Sequence, residues 1–168
     1  MNSVSLKNQT LAPGWTPEEV EVLKIALMKF GIGRWKKIMQ SGCLSGNTSS
    51  QLSSQTQRLL GQQSLAEYLH LHLDIDKVAQ YNYTRTDVIR KSNCIINTGK
   101  NPNPEELQRL REFNAANFGI SLEETKKLKL PAINTLTRIM NLQAEPLVKL
   151  KQLHEYRNQL LKRLKKAR

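Results

Sequence analysis

Arg34, Lys36 and Lys37 crowd around Trp35, and the hydroxyl and amide side chains of Ser50, Gln51, Ser54 and Gln57 lead on to Arg58. Clustered cations suit an acidic or phosphate-bearing partner, and the hydroxyls and amides beside them are neutral hydrogen-bonding groups. The other chemistry-bearing residues point elsewhere. His70 and His72 alternate with leucines but have no third ligand at metal spacing, so they read as the exposed side of an extended segment. Cys43 and Cys94 lie far apart in no CxxC pattern and read as small reduced hydrophobes. The pairs Glu18/Glu19, Glu105/Glu106 and Glu123/Glu124 sit at predicted helix starts, where negative charge favours the helix dipole. Gly-rich nucleotide loops, GxSxG and HExxH are absent, so the expectation is a chain without catalysis of its own.

The charge balance agrees with an anionic partner. Over 168 residues, 26 Lys+Arg oppose 14 Asp+Glu, a formal charge of +12. The surplus is concentrated in the first third of the chain and in residues 147–168. With 39% hydrophobic but only 5% aromatic residues, small helical cores are expected. No run of apolar residues is long enough to span a bilayer and no apolar leader opens the chain, so the expected setting is the cell interior, away from membranes.

These residues need a scaffold. Residues 1–12 read as a disordered arm. Thr16-Pro17-Glu18-Glu19 is a capping box with proline at the first helical position. Val20, Leu23, Ala26, Leu27 and Phe30 then form one apolar stripe, with Glu21, Lys24 and Lys29 facing water. Gly31 and Gly33 turn the chain into a second short helix marked by Trp35, Ile38 and Met39. Thr48-x-x-Gln51 repeats the capping box, and Leu52, Thr56, Leu59 and Leu60 keep helical spacing up to Gly61, which predicts a third helix with Ser50, Ser53, Ser54, Gln57 and Arg58 outward.

Beyond Gln62, the alternation of Leu69, Leu71, Leu73 and Ile75 with polar residues predicts a short strand or an extended segment lying along an apolar surface, and Asp87–Lys91 a helical turn. Asn103-Pro104-Glu105-Glu106 opens a helix with Leu107, Leu110, Phe113 and Asn114 inward until Gly119. Ser121-x-x-Glu124 caps a further short helix, Ile133–Leu142 is helical, and Pro146–Arg168 is a long basic helix. The expected fold is all-α: a three-helix module at 13–65, a helical extension at 66–145 with a short extended segment, and the C-terminal helix at 146–168.

Three short helices with a tight turn before the third make a helix-turn-helix. Trp15-Thr16, the Glu pair, Leu23, Ala26, Phe30-Gly31, Gly33-Arg34-Trp35, Ile38 and Thr48-x-x-Gln51 follow an order that resembles the Myb/SANT branch of the homeodomain-like fold. Thr56 stands where that family packs a third aromatic, so flanking chain is expected to complete the core. The resemblance implies that Ser50, Gln51, Ser54 and Gln57 face the major groove of duplex DNA and that Arg34, Trp35, Lys36, Lys37 and Arg58 meet phosphate. Without Arg, Lys or Asn among the groove-facing positions, sequence readout should be weak.

Residues 30–39, 41–44, 56–65 and 93–99 are similar to a second, narrower family, the homeobox-like accessory subunits of ciliate DNA N6-adenine methyltransferase complexes, over about residues 11–131. This similarity implies a nuclear, non-catalytic subunit in a hetero-oligomer with an MT-A70-type methyltransferase heterodimer. S-adenosylmethionine would be held by a partner subunit, with no cofactor in this chain. Methyltransferases of that type use Asp-Pro-Pro-Trp, and none of the six prolines here adjoins another. The competing expectations are a SANT-type chromatin adaptor that binds protein and a free-standing Myb-like transcription regulator.

Overall fold

The computed structural model describes residues 11–99 and 101–131, together with the single positions Pro146, Leu150, His154, Arg157 and Asn158. The arm expected at 1–12 falls largely outside them, as do the helix at Ile133–Leu142 and most of the helix at Pro146–Arg168. Among the described residues the chain is mostly helical, with six helices and one two-stranded hairpin. In chain order these are α1 (Pro17–Phe30), α2 (Trp35–Gln40), α3 (Ser49–Leu60), α4 (Ile75–Thr84), β1 (Arg90–Lys91), β2 (Cys94–Ile95), α5 (Pro104–Phe118) and α6 (Leu122–Lys127). None of the described helices is long and apolar enough to cross a membrane.

Helix starts follow the capping chemistry closely. The Thr16 hydroxyl accepts from Glu19 N–H at 3.2 Å while the Glu19 carboxylate accepts from Thr16 N–H at 3.0 Å. Thr48/Gln51, Asn103/Glu106 and Ser121/Glu124 repeat the arrangement at α3, α5 and α6. Such caps each contribute about 1 kcal/mol by satisfying amides that the helix itself leaves unpaired. Helix α3 ends at Gly61, which takes the left-handed conformation at φ 65 and donates its N–H back to the Arg58 carbonyl.

The core gathers Leu23, Ala26 and Leu27 of α1, Ile32 of the turn, Ile38 of α2, and Leu52 and Leu60 of α3, all fully buried. Thr56 is buried with them, its hydroxyl donating to the Leu52 carbonyl at 2.7 Å. Chain beyond Gly61 closes this core. Helix α4 packs on α3, and buried Asn82 donates to the Leu60 carbonyl at 2.8 Å and to the Tyr68 hydroxyl at 3.0 Å. The Tyr68 hydroxyl in turn donates to Gln62 Oε1 at 2.8 Å. Burial pushes the Tyr68 phenol well above its ordinary pKa, so it stays protonated and keeps that donor. Residues 11–131 belong to one compact unit.

Several expectations are corrected. The alternating stretch at 69–76 is not a strand: residues 66–70 turn, Leu73 makes a single bridge to Gly119, and Asp74 caps α4 by accepting from Lys77 N–H at 3.1 Å. Helix α4 escaped detection because its buried positions Ile75, Val78 and Asn82 include a polar residue. The helical turn at Asp87–Lys91 is replaced by β1, which pairs antiparallel with β2, Arg90 opposite Ile95 and Lys91 opposite Cys94. Lys29 is not a free solvent-facing cation: it donates to the carbonyls of Thr125 at 3.3 Å and Leu128 at 2.7 Å, tying α1 to the end of α6. On α5 the buried residues are Asn114 and Phe118, whereas Leu110 and Phe113 are exposed and Phe113 stacks against Tyr81 and Phe118. His72 is half-buried, its Nδ1 donating to the Met28 carbonyl at 2.9 Å.

Candidate nucleic-acid interface

The Gly31–Gly33 turn places α2 across the start of α3. Both glycines have positive φ, and at Gly31 (φ 90) a Cβ would stand 3.2 Å from the His70 carbonyl oxygen, so the turn needs a residue without a side chain. Helix α2 buries Ile38 and leaves Lys36 and Lys37 exposed, with Arg34 exposed just before them and Trp35 half-buried between. On α3, Leu52, Gln55, Thr56, Leu59 and Leu60 face inward. Ser50, Ser54 and Arg58, each four residues on from the last, are therefore stacked along the exposed side.

Three adjoining shallow hollows run over this surface. The first is lined by Arg34, Trp35, Lys36 and Lys37, together with Ser49 and His70. Trp35 and Ser49 also border the second, which continues along Ser50, Ser53, Ser54 and Gln57. Ser54 and Gln57 pass into the third, which ends at Arg58, Lys91 and Ser92. The result is one strip with cations at both ends, hydroxyls between and, among the described residues, no acidic residue along it. Among the described residues, Arg34, Lys36, Lys37, Arg58 and Lys91 form no ion pair. From Ser50 to Arg58 the helix rises about 12 Å, close to the width of a duplex major groove.

The sequence-derived residues do not all contribute equally. Arg34, Trp35, Lys36, Lys37, Ser50, Ser54, Gln57 and Arg58 line the strip, and Gln51 lines none of its hollows. The Gln51 side chain instead accepts from Thr48 N–H at 2.8 Å in the α3 capping box. Gln57 lines two hollows, yet its amide already donates to the Gln63 carbonyl at 2.7 Å. Among the described residues, the hydroxyls of Ser49, Ser50, Ser53 and Ser54 and the Arg58 guanidinium make no hydrogen bond or ion pair.

Local electrostatics agree with a cationic surface. The His70 imidazole is held below its usual range by lost hydration and by the neighbouring Arg34 and Arg111 guanidiniums, which favours its neutral form. At the other end, burial pushes the Cys94 thiol up despite the nearby Arg58 and Arg90, so no thiolate offsets the cations. The Cys94 thiol is spent on a contact with the Gln57 carbonyl at 3.7 Å.

Lys91, Ser92 and His70 were missed from sequence. A weak signal for the first two was present: the polar pair Ser92-Asn93 sits midway in the five residues between Ile89 and Ile95. Among the described residues, no group of three or more His, Cys, Asp or Glu side chains is placed to hold a metal ion. Comparisons of the chain with family models, with curated proteins and with solved structures returned no match.

Proposed function

We propose that this chain is a non-catalytic DNA-binding accessory subunit of a nuclear DNA N6-adenine methyltransferase complex. Residues 13–65, read as a Myb/SANT-like module, hold duplex DNA. Residues 66–168 dock on an MT-A70-type heterodimer, one subunit of which holds S-adenosylmethionine. The reading is carried by the strip across α2 and α3, which among the described residues has no acid, cations without ion pairs at both ends and serine hydroxyls between them. Such a surface gains affinity mainly from released counterions, and its hydroxyls discriminate poorly among bases. The subunit would raise the local concentration of duplex at the catalytic partner, which extrudes and methylates the adenine.

Omission tests this directly. Methylation of duplex DNA by the purified heterodimer is expected to fall sharply without this chain and to recover when it is added back. Unchanged methylation on omission overturns the reading in favour of a chromatin adaptor or a free-standing regulator. Duplex affinity of the chain alone should fall with salt at a log–log slope near −4 to −5, as expected for about four to six neutralised phosphates. A slope near −1 would remove the strip from consideration.

A further inference from the structure

We infer that the β1–β2 hairpin is a second phosphate-gripping element, in which Lys91 acts beside Arg58 on the duplex backbone at the C-terminal end of α3. The inference rests on the DNA-binding reading above and extends it to a segment outside the three-helix module.

The hairpin is fixed to the end of α3 by backbone hydrogen bonds. Ile95 N–H donates to the Gly61 carbonyl at 2.8 Å, and Gln63 N–H donates to the Ile95 carbonyl at 2.9 Å. The two-residue turn has both Ser92 (φ 50) and Asn93 (φ 64) in the left-handed region, the tight geometry that follows the twist of paired strands. Alternation along β1 then separates two adjacent cations. Arg90 is half-buried and its guanidinium donates to the carbonyls of Asn82, Tyr83 and Arg85, so its charge serves the end of α4. Lys91 is exposed, borders the hollow shared with Ser54, Gln57 and Arg58, and forms no ion pair among the described residues.

A cation on a preformed turn loses less freedom on binding than one on a loose loop. Placed at the opposite end of the strip from Arg34, Lys36 and Lys37, Lys91 can engage backbone that those residues do not reach. A phosphate is the fitting ligand because the hollow offers a guanidinium, an ammonium and hydroxyl donors, with no carboxylate.

The test uses the full chain and a fluorescently labelled DNA duplex, with affinity measured over a potassium chloride series. Lys91→Ala should weaken binding equally for unrelated sequences and make the log–log salt slope shallower by about 1. Lys91→Arg should retain the wild-type slope. Melting temperature serves as the folding control, and the exposed position predicts little change. Wild-type affinity and slope in Lys91→Ala, alongside severe loss in Lys36→Glu/Lys37→Glu, would overturn the hairpin assignment and leave the α2–α3 reading standing. Wild-type affinity in both variants would overturn both.

Discussion

Helix α3 contributes one side to each of two concave regions, and their chemistry is opposite. The strip over Ser50, Ser54 and Arg58 is polar, carries cations from α2 and β1, and contains no acid among the described residues. The groove that Leu59 enters lies between α1 and α4 and is lined by Val20, Ala79 and Tyr83, with Glu18, Glu21 and Asp76 around one lysine. That lysine is neutralised: Lys24 Nζ lies 2.8 Å from Asp76 and 3.2 Å from Glu21. The difference shows how one amphipathic helix can present opposite chemistry on its two sides. Unneutralised cations over hydroxyls attract a polyanion, whereas an apolar groove with acidic edges repels one and suits contact with protein.

The largest expected effect breaks the polar side. Lys36→Glu/Lys37→Glu should weaken duplex binding on the order of 100-fold at moderate salt, because two attractive contacts become repulsive. Under the proposed function, assembly with the methyltransferase heterodimer should persist, as read by co-purification. Wild-type affinity would detach α2 from DNA binding altogether.

A second substitution tests what holds the two regions in register. Asn82→Ala should destabilise the fold by about 2–3 kcal/mol, since it strips donors from the buried Leu60 carbonyl and Tyr68 hydroxyl. Denaturant melts measure this loss. A change below about 0.5 kcal/mol would mean that α4 is held on α3 by apolar packing alone.

Outside both regions, the exposed aromatic ring of Phe113 offers a test of the proposed docking, through Phe113→Ser. Phe113 is 43% exposed and lies 5.7 Å from the Tyr81 ring. Its loss should impair co-purification with the methyltransferase subunits while stability falls by less than about 1 kcal/mol and duplex affinity is unchanged. Intact assembly would move the docking surface elsewhere.

The smallest effect is electrostatic. Burial lowers the affinity of Lys24 for its proton, and the Asp76 and Glu21 carboxylates more than offset that, leaving its pKa raised above 10.5. The contribution is therefore complete below the unfolded value near 10.5 and disappears as pH rises through the folded value. Asp76→Asn should flatten this alkaline decline and cost under about 1 kcal/mol at neutral pH, because Asp76 is exposed. An equally steep decline in the variant would assign it to other groups.

Legibility in the sequence tracked how local the determining interactions are. The capping boxes at Thr16, Thr48, Asn103 and Ser121 were readable because each is closed within four residues. Helix α4 was not: its inward Asn82 is explained by Tyr68 and Leu60, distant in sequence. Gln55 shows the same limit. No apolar spacing marks it as inward, yet it is fully buried and accepts from Ala12 N–H at 2.9 Å. For the candidate site, Arg34, Lys36 and Lys37 were visible in the residue pattern as neighbouring cations and Ser50, Ser54 and Arg58 as the outward side of a helix, while their roles came from the resemblance. Lys91 and His70 were not, since neither is near that cluster along the chain.

The sequence by itself determined where most helices begin and end, which face of α3 is polar, and that the chain is strongly cationic. Those properties depend on residue type and short-range spacing. Only the tertiary structure decided that Arg90 caps a helix while its neighbour Lys91 joins the strip, and that Lys29 binds the end of α6. A charged side chain acquires its role from the carbonyls, cations and acids that folding brings to it, and pairings between distant residues leave no periodic trace in the chain.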